Sequence, residues 1–203
     1  MHPPENCVVQ AICLRLVQSL SPARSESIAL AHWIFSNPGI FGPMPEPVLD
    51  GRFRQSVAIE SWEDIADHLA HQIAACPLIV DESRLRLEAI SARVELCPID
   101  YALAHILVLK ARDGAVSALI NFLQREIGLS VEAALGWCCN LDESEVWTAL
   151  STNGRLIILG VILPVGLCIA EQDEAYPLSG LLLSLLHGQV QSDLDKNVAL
   201  SKP

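Results

Sequence analysis

Apolar residues recur at helical spacing near the start of the chain. In residues 7–20 they lie three or four positions apart, which places them on one face of a helix: Val9, Ile12, Leu16 and Leu20. A second stripe of this kind follows and stops at an Asn-Pro-Gly sequence. We therefore predict an N-terminal helical pair over residues 1–36, with Ser25 as the N-cap of its second helix.

Residues 37–56 break the pattern with four prolines and three glycines. This density excludes regular helix, because proline removes a backbone donor and glycine favours the unfolded chain. We predict a long loop or linker here and place an internal boundary in it. Its apolar residues, Ile40, Phe41 and Met44, are suited to packing on the body of the protein.

Helical spacing resumes after this segment and predicts a compact antiparallel helical array over residues 57–128. Proline or glycine separates the successive stripes. Ser61 is the predicted N-cap of the first helix, since Glu63 and Asp64 would then lie in its first turn, where the helix dipole favours acids. The predicted helices cover residues 61–76, 82–95, 99–111 and 115–127.

The character changes over residues 129–191. Ser130 and Asp142 are placed to cap two short helices, and Glu145 has the capping-box spacing from Asp142. Asn153-Gly154 then predicts a turn between strands. The predicted elements are helices 130–137 and 142–150, strands 155–163 and 166–170, and a last helix 177–191 before a polar tail, 192–203.

This order of helix, turn, helix and hairpin is typical of a winged helix. The predicted fold class is therefore an all-α, mainly helical array of about six helices, with a small winged-helix-like β-hairpin near residues 154–170. Composition agrees: apolar residues make up 51% of the chain, charged residues 18% and aromatic residues 5%, which fits an aliphatic core. The uncharged runs 156–170 and 178–186 are shorter than the ~18 residues of a bilayer-spanning helix, so we predict no membrane span.

The formal net charge of −11 disfavours nucleic acid as a partner. The helix predicted at 142–150 carries three carboxylates and no Lys or Arg, so it would repel phosphate. We predict a protein partner in its place. Trp147 is either an aromatic anchor on that surface or a core residue. The candidate partner contacts are Glu143, Glu145, Trp147 and Arg155.

Candidate chemistry is sparse. The seven cysteines are odd in number and follow no secretory signal, so free thiols and a cytoplasmic location are expected. His68, His71 and Cys76 lack a full zinc-ligand pattern, and adjacent Cys138 and Cys139 lack the Cys-x-x-Cys spacing. We expect no cofactor, no metal and no catalytic residue. An enzyme whose groups meet only in three dimensions, around His68, His71 or His105, remains an alternative.

A resemblance rests on residues 130–162, SVEAALGWCCNLDESEVWTALSTNGRLIILGVI, which are similar to winged-helix modules. Together with PLSGLLLSLLHGQV at 177–190, they resemble the region that precedes the ATPase core in some bacterial AAA-type ATPases. The chain contains no Gly-x-x-x-x-Gly-Lys-Ser/Thr sequence to hold nucleotide phosphates. The resemblance thus implies a non-enzymatic interaction or regulatory domain with a protein partner, such as an ATPase of this type. The alternative is a winged-helix DNA-binding regulator.

Overall fold

The computed structural model describes residues 4–50, 56–76, 82–163 and 176–179, together with Leu182 and Leu186. Within these residues the chain forms ten helices and one two-stranded antiparallel sheet, so the mainly helical fold is confirmed. The elements are α1 (Pro4–Ser19), α2 (Ser25–Ser36), α3 (Pro38–Phe41), β1 (Leu49–Asp50), β2 (Ser56–Val57), α4 (Ile59–Ala74), α5 (Glu82–Val94), α6 (Pro98–Arg112), α7 (Gly114–Arg125), α8 (Val131–Cys139), α9 (Glu143–Ala149) and α10 (Arg155–Ile158).

Helix α1 packs against α3, α4 and α7. Its apolar stripe is buried as the sequence predicts, with Val9 fully buried and Ile12 and Leu16 nearly so. On α4, Trp62 is also buried, and its indole N–H donates to the carbonyl oxygen of Val17 over 3.0 Å. This bond satisfies a carbonyl near the C-terminal end of α1 and fixes the two helices along their length.

The proline-rich segment contains a helical turn, α3, where the sequence predicts none. Pro38 begins it, because the fixed φ of proline suits the first position of a helix and its missing N–H costs nothing there. Phe41 is fully buried. Three polar side chains from α1 and α4 donate to successive carbonyls of α3: Asn6 Nδ2 to Gly39 O at 3.0 Å, Gln10 Nε2 to Ile40 O at 2.7 Å, and His68 Nε2 to Phe41 O at 2.7 Å.

The two-stranded sheet that the structure describes is formed by residues 49–50 and 56–57, at the end of this segment. Leu49 pairs with Val57 and Asp50 with Ser56. The predicted N-cap of α4 is wrong, since α4 begins at Ile59 and Ser61 Oγ instead accepts from the backbone N–H of Val48 at 3.1 Å. Ser25 is likewise not a cap, because α2 begins at that residue.

The predicted strand over residues 155–163 is wrong at its start, since Arg155–Ile158 is helical. The backbone amides of Ile157 and Ile158 both donate to Gly154 O, which closes a helical turn. A short uninterrupted apolar run fits a buried helix as well as a strand, so periodicity does not separate them. Ile162 makes an isolated antiparallel bridge with Leu178.

Other predicted elements at this end of the chain lie outside the described residues. These are the strand 166–170, the tail 192–203 and most of the last helix, 177–191. Of the residues expected on the buried face of that helix, Leu182 and Leu186 are described, and both are buried. No helix among the described residues has the length and hydropathy to cross a membrane.

A disulfide joins Cys7 near the start of α1 to Cys76 just beyond α4, with 6.5 Å between their Cα atoms. The expectation that every cysteine is a free thiol is therefore wrong for these two. They are 69 residues apart in sequence, and sequence spacing alone does not show which cysteines the fold brings together. Of the remaining cysteines in the described part, Cys13 and Cys138 are buried and Cys97 is exposed.

The turn between α8 and α9 folds back against α8 at Gly136. Asn140 ends α8 in the left-handed conformation, and the amide of Leu141 donates back to Gly136 O at 2.9 Å. A Cβ atom on Gly136 would lie 2.7 Å from Leu141 O, too close for any side chain. Glycine at this position therefore allows the turn to lie directly against the end of α8.

We predict that Gly136→Ala lowers the free energy of unfolding by about 1–3 kcal/mol, because the added methyl group forces the backbone of the α8–α9 turn to move. The matched control is Gly114→Ala, where a Cβ atom meets nothing within 4 Å. Urea unfolding followed by circular dichroism measures both variants. Equal stability of the two variants would contradict the close approach described here.

Candidate functional site

Helix α9 is short and is held at its N-terminus by a capping box of Asp142 and Glu145. The backbone N–H of Asp142 donates to Glu145 Oε2 at 2.8 Å, as the sequence spacing predicts. Val146 is fully buried and Leu150 nearly so, and they anchor the helix to the core. The rest of α9 is left to form surface.

A groove of about 460 Å³ lies where the start of α6 meets α9 and the start of α10. We call it the α6/α9/α10 groove. Its volume is in the range of sites that hold a small molecule or a few side chains of a partner. Its walls combine polar and apolar groups: Cys97, Ile99, Asp100, Ser144, Glu145, Thr148, Ala149, Asn153, Gly154 and Arg155.

Two of the four candidate contact residues, Glu145 and Arg155, line this groove. A guanidinium N–H of Arg155 donates to the carbonyl oxygen of Val94, at the end of α5. Glu143 lies outside the groove lining, and its carboxylate accepts from Ser130 Oγ at 2.7 Å. The structure thus places Glu145 and Arg155 in one groove. Glu143 instead accepts a hydrogen bond from Ser130, the N-cap of α8.

Trp147, the fourth candidate, is 59% exposed, so it is a surface residue and not part of the core. Two further large apolar residues are exposed just along the chain, Ile158 at 70% and Leu159 at 39%. Single exposed apolar residues are common on soluble proteins, but an exposed tryptophan is costly in water. Helix α9 and the end of α10 therefore each carry exposed apolar side chains, and α9 also lines the groove.

Cys97 and Asp100 line the groove, although the sequence did not indicate them as site residues. Cys97 is the N-cap of α6, and its Sγ accepts from the backbone N–H of Asp100 at 3.4 Å. The Cys97 thiol in turn donates to Asp100 Oδ2 at 3.1 Å. Pro98 in the sequence predicts the start of this helix. Because proline favours the first helical position, the residue before it, Cys97, could have been predicted as the N-cap.

A second cavity, of about 450 Å³, lies between α1, α6 and α8. His105 lines it and stacks on Tyr101 with 6.0 Å between ring centroids. Cys138 and Cys139 form another part of the wall. This is the cavity that bears on the enzyme alternative, because it places a histidine, a tyrosine and two thiols in one space.

The thiols in this region are poorly suited to nucleophilic chemistry. Burial raises the pKa of Cys138 to about 12, and the neighbouring Cys139 thiol adds to the effect. Burial also raises the pKa of Cys139 to about 12 and that of Cys13 above its ordinary range. Since the thiolate is the reactive form, these groups remain protonated and inert near neutral pH.

The histidine and cysteine group weighed for zinc has other partners. His68 donates to Phe41 O, and Cys76 is in the disulfide. His71 is exposed on the surface of α4. Within the described ranges, no three His, Cys, Asp or Glu side chains converge as a metal site requires.

We predict an alkaline loss of stability that depends on Cys138. Its folded-state pKa is raised from 9.0 to about 12. The protonated thiol therefore makes its full contribution to the free energy of unfolding below pH 9, and this contribution is lost as the pH rises toward 12. The urea midpoint should fall less steeply over this interval in Cys138→Ala than in the wild type. Cys97→Ser is the control, because serine keeps a side-chain acceptor at the N-cap of α6, and its urea midpoint should change with pH as in the wild type. Parallel pH profiles for all three proteins would contradict the burial of Cys138.

Comparison of the chain with protein-family models, with curated proteins and with solved structures finds no match. The function therefore has to be argued from the groove and the apolar surface beside it.

Proposed function

We propose that this protein is a non-enzymatic interaction or regulatory protein that binds a protein partner through the surface of α9 and α10. The observation that carries the proposal is the 59% exposure of Trp147 on a helix whose first turn is acidic. Tryptophan is among the residues that contribute most to binding when a partner covers it. The α6/α9/α10 groove beside it offers polar groups that fix the orientation of a bound chain.

The partner we propose is an AAA-type ATPase. The support is the resemblance of residues 130–162, together with 177–190, to the region that precedes the ATPase core in some bacterial enzymes of this type. The resemblance to a winged helix is carried by α8 and α9, because the first predicted strand of the wing is helical at Arg155–Ile158.

DNA binding is the second candidate, and the succession of α8, Asn140 and α9 is the observation that favours it. In a helix-turn-helix protein the N-terminal residues of the second helix contact the bases. Here those positions carry Asp142, Glu143 and Glu145. On DNA these carboxylates would face phosphate groups and be repelled by them. Arg155, the positive residue nearby, already donates to the carbonyl oxygen of Val94. The surface therefore fits a protein partner better than DNA.

The cytoplasm is the compartment we propose. Disulfides are rare there because thiol buffers keep cysteines reduced. The Cys7–Cys76 disulfide then has to be one that opens under cytoplasmic conditions.

We predict that Trp147→Ala abolishes recovery of the partner ATPase when the tagged chain is purified from its native host. Loss of a buried tryptophan anchor weakens binding about 30-fold or more. Ile59→Ala is the matched control, because Ile59 is 64% exposed but lies on α4. The wild type and the control should recover the same ATPase in stoichiometric amount.

Equal recovery of the ATPase by the wild type and by Trp147→Ala would show that Trp147 of α9 is not part of the interface.

Fluorescence anisotropy with duplex DNA at physiological salt separates the two candidate functions. Protein binding through α9 predicts no tight, sequence-selective DNA complex. Such a complex, weakened by Arg155→Ala and strengthened by Glu145→Gln, would establish the DNA-binding alternative instead.

A further inference from the structure

Helix α3 is held between two helices by its carbonyl groups. On one side, Asn6 and Gln10 of α1 donate to Gly39 O and Ile40 O. On the other side, His68 of α4 donates to Phe41 O. A four-residue helix has almost no stability of its own, so its conformation depends on these donors and on the burial of Phe41.

The Cys7–Cys76 disulfide joins the same two helices. Cys7 directly follows Asn6 in α1, and Cys76 lies two residues beyond the last residue of α4, Ala74. The disulfide therefore fixes the spacing of the two elements that supply donors to α3. It closes a clamp, formed by α1, α4 and the disulfide, around Pro38–Phe41.

The helix pair does not need the disulfide in order to pack. Toward the other end of α1, the Trp62 indole donates to Val17 O, and Ile65 and Leu69 of α4 are buried. Covalent staples are essential mainly in small domains that lack a sufficient core, whereas the core of this chain includes residues from α1 through α10. Cys7 and Cys76 are both half-buried and not sealed in the core, and Cys7 lines the cavity between α1, α6 and α8. Thiol–disulfide exchange needs access to only one of the two sulfurs.

We propose that the Cys7–Cys76 disulfide is a redox-controlled clamp on α3. A thiolate of the glutathione class attacks one of the two sulfurs, forms a mixed disulfide and releases the other cysteine as a thiol. A second molecule of the small thiol then attacks the mixed disulfide. The net result is two protein thiols and one oxidised small-molecule disulfide, with two electrons and two protons gained by the protein.

In the reduced protein, the start of α1 separates more freely from the end of α4, and Asn6, next to Cys7, no longer holds the Gly39 carbonyl at a fixed distance. The fold persists while α3 opens locally. Such a local opening exposes the Phe41 ring, which packs edge-on against Trp33 with 5.4 Å between centroids. The ratio of reduced to oxidised small thiol around the protein thus controls the local opening of α3.

Hydrogen exchange with mass spectrometry tests the clamp on the intact chain, in its air-oxidised form and after incubation with reduced glutathione without denaturant. The amides that close α3, those of Ile40, Phe41 and Gly42, should exchange roughly tenfold faster in the reduced protein. Amides in α6 and α7 should exchange at equal rates in the two forms. Thiol counting by mass confirms the redox state of Cys7 and Cys76.

The double variant Cys7→Ser/Cys76→Ser should exchange like the reduced wild type whether or not glutathione is present. Cys97→Ser is the matched control and should keep the full redox response, since Cys97 lies outside the clamp. The proposal is overturned if glutathione leaves the disulfide intact in the folded protein. It is equally overturned if exchange rises uniformly along the chain, if α3 exchange is unchanged, or if the double variant fails to fold.

Discussion

The fold depends on hydrogen bonds to the backbone carbonyl groups of two short helices, α3 and α8. These carbonyl groups are partly buried and need hydrogen-bond donors from elsewhere in the protein. A buried carbonyl without a donor costs about 1–3 kcal/mol. Helix α1 supplies those donors from polar side chains on an otherwise apolar helix. Arg15 donates to Trp137 O at 2.8 Å and Cys138 O at 2.7 Å, at the end of α8. Asn6 and Gln10 do the same for α3. One helix therefore fixes two distant parts of the chain.

The position of the proposed binding surface follows from these contacts. Arg15 holds the end of α8, and the close approach at Gly136 then sets where α9 lies. With Val146 buried, the helix turns Trp147 to solvent and Glu145 into the α6/α9/α10 groove. The same helix α1 carries Cys7, so the redox clamp and the binding surface are built on one scaffold without sharing residues.

Much of the fold was predictable where proline, glycine or a capping residue marks a boundary. Pro98 and Gly114 begin α6 and α7, and the Ser130 cap and the Asp142 capping box are confirmed. Helix α10 was mistaken for a strand because its apolar run has no period. Helix α3, the disulfide and the role of Arg15 were not predictable, since each depends on contacts between residues far apart in sequence. For the same reason, the sequence indicated Glu145 and Arg155 as contact residues, but it could not show that they line one groove with Cys97 and Asp100.

Arg15→Met tests the role of α1 most directly, because methionine keeps the apolar stem and removes the donors to α8. We expect the free energy of unfolding in urea to fall by about 3 kcal/mol, since two carbonyls lose a charged donor. Arg24→Met removes an exposed arginine and should change it by less than about 0.5 kcal/mol. Equal stability of the two variants would show that the α8 carbonyls do not depend on Arg15, and would contradict the account.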